Sequence, residues 1–202
     1  MAASEYNYTF LHYRDPDSAG HDTGWGSAAW DTVVQNVDGY LGDLFDLIEN
    51  DAGLVGDTVI IVTADHGGSG TGHGTASSAA NYTIPVLVWG PGVSAGADLY
   101  SLNPTTRLNP GTGRPDYTAA GQPIRNGDTG NLALDLLGLG AVPGSLSNSS
   151  QNLIVPEPSS VVLATIAGLA LLGMYLSRVR PRRMLPLAHS HPAACDGHPA
   201  GG

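Results

Sequence analysis

Between Ser27 and Asn50 the apolar residues Trp30, Val33, Val34, Val37, Leu41, Leu44, Phe45 and Ile48 recur every three or four positions, with Asp31, Asp38, Asp43 and Asp46 between them. This period predicts an amphipathic helix of about six turns. A different pattern follows over 57–64, where Thr58-Val59-Ile60-Ile61-Val62-Thr63 is a continuous β-branched run, as expected of a strand buried on both faces. A second such strand is predicted over Ile84–Trp89, stopped by Gly90-Pro91-Gly92. Ahead of the helix, Tyr8–Tyr13 reads as a short strand running into a loop that holds Pro16, Gly20 and Gly24. Strand, helix, strand, loop and strand in this order predict an α/β layer fold with a mainly parallel sheet.

Past residue 99 the pattern weakens. Residues 99–128 are rich in Asn, Pro, Gly and Arg and read as an irregular surface excursion. Asn131–Leu137 reads as a short apolar helix ended by Gly138 and Gly140, and Ser145–Gln151 as a polar linker. Pro158–Ser177 is a run of 20 uncharged residues followed by Arg178, Arg180, Arg182 and Arg183. A helix of that length is about 30 Å long, the thickness of a bilayer core, which predicts a transmembrane helix with a cytoplasmic C-terminus. A buried core helix is the plainer alternative, but it would need a polar face that this run lacks. The expected organisation is a folded α/β domain over 1–150, a membrane segment within 151–184 and a disordered tail over 185–202.

Composition narrows the chemistry. Residues 1–159 carry 17 acids against four arginines, a net charge of −13, which disfavours nucleic acid as a partner. There is no lysine, so Schiff-base chemistry and a phosphate-binding Walker lysine are excluded. The single Cys195 permits no intramolecular disulfide. Any catalysis must use carboxylates, imidazoles or metal ions.

Those groups cluster in the first 75 residues. Asp65-His66 ends the predicted buried strand, and Gly67-Gly68 after it would let the backbone turn away sharply. Taken alone, this pair reads as readily as a surface aspartate beside a hydrogen-bonded histidine. Asp17 and His21 stand four residues apart in what Pro16 and Gly20 mark as a loop after a strand, where open α/β sheets place ligands. His73 adds a third imidazole within a glycine-rich segment. Three imidazoles and two carboxylates suit zinc or a similar ion, and together they outweigh a reading as five unrelated loop residues. His12 reads as a core or supporting residue, and Thr63 and Ser69 as sheet and loop positions. Arg107, Arg114 and Arg125 read as solvated surface residues, and His189, His191, Cys195 and His198 as part of the disordered tail.

Two resemblances extend this reading. Asp17-x-x-x-His21, Thr63-Ala64-Asp65-His66-Gly67, His73-Gly74 and the run from Ile84 to Gly92 resemble the C-terminal half of alkaline phosphatase superfamily hydrolases, above all the type I phosphodiesterase and nucleotide pyrophosphatase branch. The resemblance implies part of that family's α/β sandwich and two divalent metal ions, zinc by expectation. Asp17, His21 and His73 would hold one ion, and Asp65 with His66 the other. It also implies a small phosphoric ester substrate and a Ser or Thr nucleophile from a strand end upstream of Asp17, so the chain is expected to be truncated. A sulfatase, a phosphoglycerate mutase of the same superfamily, or a non-catalytic tethered remnant are the alternatives. Separately, Val155-Pro156-Glu157-Pro158-Ser159-Ser160, the apolar run and the arginines resemble a PEP-CTERM sorting signal. That implies export, a sorting protease as partner and a membrane-anchored or cell-surface location.

Overall fold

The computed structural model describes residues 6–145 together with Leu153 and Val155. The chain divides into a first unit, Met1–Ser160, and a second, Val161–Gly202, which lies outside the described residues. The expected membrane segment, sorting signal and tail fall there or in the undescribed linker. Among the described residues no helix is long and apolar enough to cross a membrane.

The first unit is a mixed α/β structure. Its helices are α1 (Asp15–Thr23), α2 (Ala28–Glu49), α3 (Ala79–Tyr82), α4 (Leu99–Leu102) and α5 (Asn126–Leu136), and its strands are β1 (Ile60–Thr63) and β2 (Val86–Trp89). Helix α2 matches the periodicity residue for residue. Ser27 caps it by accepting from the Trp30 amide, and Trp30, Val33, Val34, Val37, Leu41, Leu44 and Phe45 are half-buried while Ile48 is fully buried. Tyr40 and Leu47, apolar but out of phase, are exposed. Phe45 meets Trp89 of β2 edge-on at 5.0 Å, which brings the helix against the strand pair at this point.

The sheet differs from expectation in direction and burial. β1 and β2 pair antiparallel, with Ile60 opposite Trp89 and Thr63 opposite Val86. A run of apolar residues encodes burial but not strand direction, and a parallel pair would need a crossover element over the sheet. Here the connection from residue 64 to 85 forms the loop that carries His66 and His73, with only the four-residue α3 as helix. Neither strand is buried on both faces, and Leu87 is 62% exposed.

The N-terminal segment also departs from the sequence reading. Tyr8–Tyr13 forms no strand, and Tyr8, Phe10 and Leu11 are exposed. β propensity yields a strand only where a partner ladder exists, and none of the described strands lies against it. His12 is likewise exposed and stacks on Phe10 rather than supporting a core.

The expected loop around Asp17 is helix α1. Pro16 occupies its first turn, where a missing N–H costs nothing, and Asp15 and Asp17 favour the positive end of the helix dipole. Gly24, at φ +94°, closes the helix by donating its N–H to the Gly20 carbonyl. Pro16 and Gly24 are therefore start and stop signals.

Beyond β2, α5 begins five residues earlier than the apolar pattern implied. Asp128 accepts from the Arg125 amide at 2.6 Å and anchors that extra turn. The arginines of the irregular excursion differ from one another: Arg114 is exposed, as expected, whereas Arg125 is half-buried and Arg107 buried. Arg107 is buried in an ion pair with Asp128 at 3.1 Å, Arg125 lies over Tyr117 and donates to Gln122 and the Pro115 carbonyl, and Arg114 donates to the Ala76 carbonyl. Without lysine, guanidinium groups supply nearly all the cationic donors, and the excursion folds around them.

Candidate metal centre

Helix α1 places Asp17 and His21 one turn apart on one face. The end of β1 delivers Asp65 and His66, and the loop that follows brings His73 back. The loop closes through paired Ser69 and Gly72 and turns at Gly70, at φ +60°. It is tied to the α1–α2 junction by the Trp25 amide, which donates to the Gly70 carbonyl at 2.9 Å.

Four of the five expected residues converge on one atom, Oδ1 of Asp17. His21 Nε2 lies 3.4 Å from it, His73 Nε2 3.7 Å and His66 Nε2 3.8 Å. The two ring nitrogens of His21 and His73 are 3.1 Å apart, and the rings of His66 and His73 stack at 3.7 Å. Asp65 stands at the rim with its side chain 79% exposed. It reaches His66 Nε2 at 3.6 Å and accepts from the His66 amide.

Backbone carbonyls orient two of these rings. His21 Nδ1 faces the Thr71 carbonyl at 3.0 Å and His66 Nδ1 faces the Gly67 carbonyl at 2.9 Å. A carbonyl only accepts, so each Nδ1 carries the proton, and in the neutral imidazole Nε2 presents its lone pair to the centre. Asp17 Oδ1 thus faces the lone pairs of His21 and His66, is closed off from solvent and has no hydrogen-bond partner. A carboxylate oxygen held this way is unfavourable unless a cation or a proton from His73 joins the cluster.

The spacing fits an ion. Two ligands each about 2.0–2.1 Å from a tetrahedral zinc-like ion stand about 3.3–3.4 Å apart. The donor atoms of Asp17, His21 and His73 are separated by 3.1, 3.4 and 3.7 Å, scattered about that edge length. These three residues form a candidate metal-binding group. His66 and Asp65 extend it toward the rim and share Asp17 with it.

The sequence reading missed what holds these side chains. Gly67 and Gly68 do not make the sharp turn. A side chain on Gly67 would strike the Ala80 carbonyl, and one on Gly68 the indole of Trp25. Gly20 is buried for the same reason, facing that indole from helix α1. Nothing in residue periodicity marks the fit of Trp25 against Gly68 or the bond from His21 to the Thr71 carbonyl, because these contacts join segments far apart in the chain.

Two comparisons with known proteins overlap this part of the chain. Residues 1–91, which contain all five of these residues, match the type I phosphodiesterase / nucleotide pyrophosphatase family. This is a similarity to a family of phosphoester-acting enzymes over less than half of the chain. The chain is also 31% identical over 100 residues to GPI ethanolamine phosphate transferase 1 of Schizosaccharomyces pombe, an alignment that covers 46% of this chain and 11% of that protein. The chain therefore spans about one ninth of the length of this curated relative. No solved structure matches it.

Proposed function

We propose that this chain carries the metal-binding part of a phosphoric ester hydrolase in which Asp17, His21 and His73 hold one divalent ion and His66 with Asp65 holds a second, both zinc. The observation that carries the reading is Asp17 Oδ1, surrounded by three imidazole nitrogens and without a hydrogen-bond partner. Bound divalent ions polarise a phosphoryl oxygen and offset the charge that develops on it. The residues here do the remaining work. Asp17 lowers the positive charge of the centre and bridges its two halves, and the Nδ1 bonds of His21 and His66 fix which nitrogen faces inward. Asp65, exposed at the rim, leaves that side open to a small ester.

Hydrolysis and transfer share this chemistry and differ in the acceptor. Similarity to a protein named as a phosphate transferase supports a second reading, transfer of a phosphoryl-linked group to a hydroxyl other than water. The reading extends to location: export and attachment to a membrane through residues 158–177, supported by the apolar run and its arginines and by the resemblance to a sorting signal.

The test is elemental analysis and Zn²⁺ titration of the purified chain, with aryl phosphate mono- and diesters supplied with and without an alcohol acceptor. Bound zinc that is lost in Asp17→Asn supports the centre. Ester turnover that depends on that zinc supports the enzyme, and the product identifies water or alcohol as acceptor. A chain that takes up no divalent ion overturns the proposal.

A further inference from the structure

We propose that Trp25 is a positioning residue of this centre, a rigid plate that sets the angle between the His21 and His73 imidazoles and so controls the affinity and coordination geometry of the ion they share. The inference rests on the reading that Asp17, His21 and His73 bind a metal.

Three observations carry it. First, the indole fills the space where two glycines lack side chains. A Cβ on Gly20, in α1, or on Gly68, in the loop after β1, would overlap its ring atoms. Both segments that bear ligands are thus fitted to this one side chain. Second, the ring meets His21 edge-on at 5.2 Å and 79°, and His73 at 5.8 Å and 78°. Edge-to-face contacts at these distances are favourable and directional, so each imidazole is held against rotation. Third, the Trp25 amide donates to the Gly70 carbonyl, which fixes the loop to the same residue that supports its histidine.

The contacts define a division of labour. His21 is oriented at Nδ1 by the Thr71 carbonyl, and that carbonyl belongs to the loop that Trp25 pins. Loss of the indole removes the edge-on contact of both ligands, while the amide bond to Gly70 stays.

The experiment is titration of the purified chain with Co²⁺, whose visible absorption reports coordination geometry, and competition with Zn²⁺ for affinity. Trp25→Ala is expected to weaken binding about 10- to 100-fold, the range seen when groups supporting metal ligands are removed, and to alter the Co²⁺ spectrum. Trp25→Phe keeps a flat ring and should recover most of the affinity and the spectrum. Gly68→Ala, which would push the indole aside, should weaken binding in the native chain but add nothing in a Trp25→Ala background. Circular dichroism checks that each variant is folded. If Trp25→Ala does not fold, Trp25→Phe and Gly68→Ala decide the matter: loss in Gly68→Ala that Trp25→Phe relieves supports the role. Unchanged affinity and spectrum in folded Trp25→Ala, or additive losses in the double variant, overturn it while native metal binding still stands. A native chain that binds no Co²⁺ removes the centre itself, and this inference with it.

Discussion

Two aspartates in this protein are surrounded in opposite ways. Asp128 is buried, at 2% exposure, and its oxygens are met by donors, the Arg107 guanidinium at 3.1 Å and the Arg125 amide at 2.6 Å. Asp17 stands in the half-open cluster between α1 and the glycine-rich loop, and its inner oxygen meets only imidazole nitrogens. A carboxylate that serves the fold is supplied with hydrogen-bond donors at folding, because leaving it unmet costs stability. One that keeps an unmet oxygen among imidazole nitrogens has the surroundings that a bound cation would complete, as the proposed centre requires. The contrast separates structural from functional acid groups where charge and burial alone would favour Asp128 as the unusual one.

The comparison can be broken at either end. The largest effect is expected from Arg107→Ala, which strands Asp128 without its guanidinium and should cost about 3–5 kcal/mol of stability in urea denaturation, with little change in metal affinity of the folded protein. Asp17→Asn should do the reverse: metal affinity falls about 100-fold or more by calorimetric titration, while unfolding of the metal-free chain moves little or rises, since no folded-state hydrogen bond is lost. If Asp17→Asn destabilises the metal-free chain as Arg107→Ala does, the distinction fails. A smaller loss is expected for Asp65→Ala. Its carboxylate is exposed, so the stoichiometry of bound metal should fall toward one ion while the tighter site keeps its affinity.

The smallest effect lies at a third aspartate. Asp116 accepts from the Thr118 hydroxyl at 2.7 Å and the Thr118 amide at 2.8 Å, and these bonds hold its carboxyl below its ordinary value of 3.8, the hydroxyl contributing most. A depressed folded-state value means the unfolded chain binds the proton more readily in acid. The resulting stabilisation is present above pH 3.8 and is lost as pH falls through the folded value. Since Asp116 is fully exposed the term is slight, and Asp116→Ala should narrow the stability difference between neutral and acidic solution only marginally. A larger change would mean that exposed turns, and not only the buried Asp128 pair, govern stability in this region.

How far the sequence reveals the protein depends on the range of the interaction. Helix α2 was legible because its period acts within a few positions. The strands over 60–63 and 86–89 were legible as strands, and their antiparallel pairing was not, because an apolar run carries no direction. Around Asp17 the local signals were present but were read with the wrong sign: Pro16 and Gly24 bound a helix, and only the helix puts Asp17 and His21 on one face.

The same division holds for the centre. Residue type alone determined that three imidazoles and two carboxylates in a lysine-free chain were the chemistry available. Tertiary structure alone decided that four of them meet at one oxygen, that Asp65 stays at the rim and that Trp25 lies beneath them. The physical reason is that ligand convergence depends on ångström distances between segments some 50 residues apart. Those distances are set by what fits between the segments, here an indole facing two glycines, and no periodicity along the chain records such a fit.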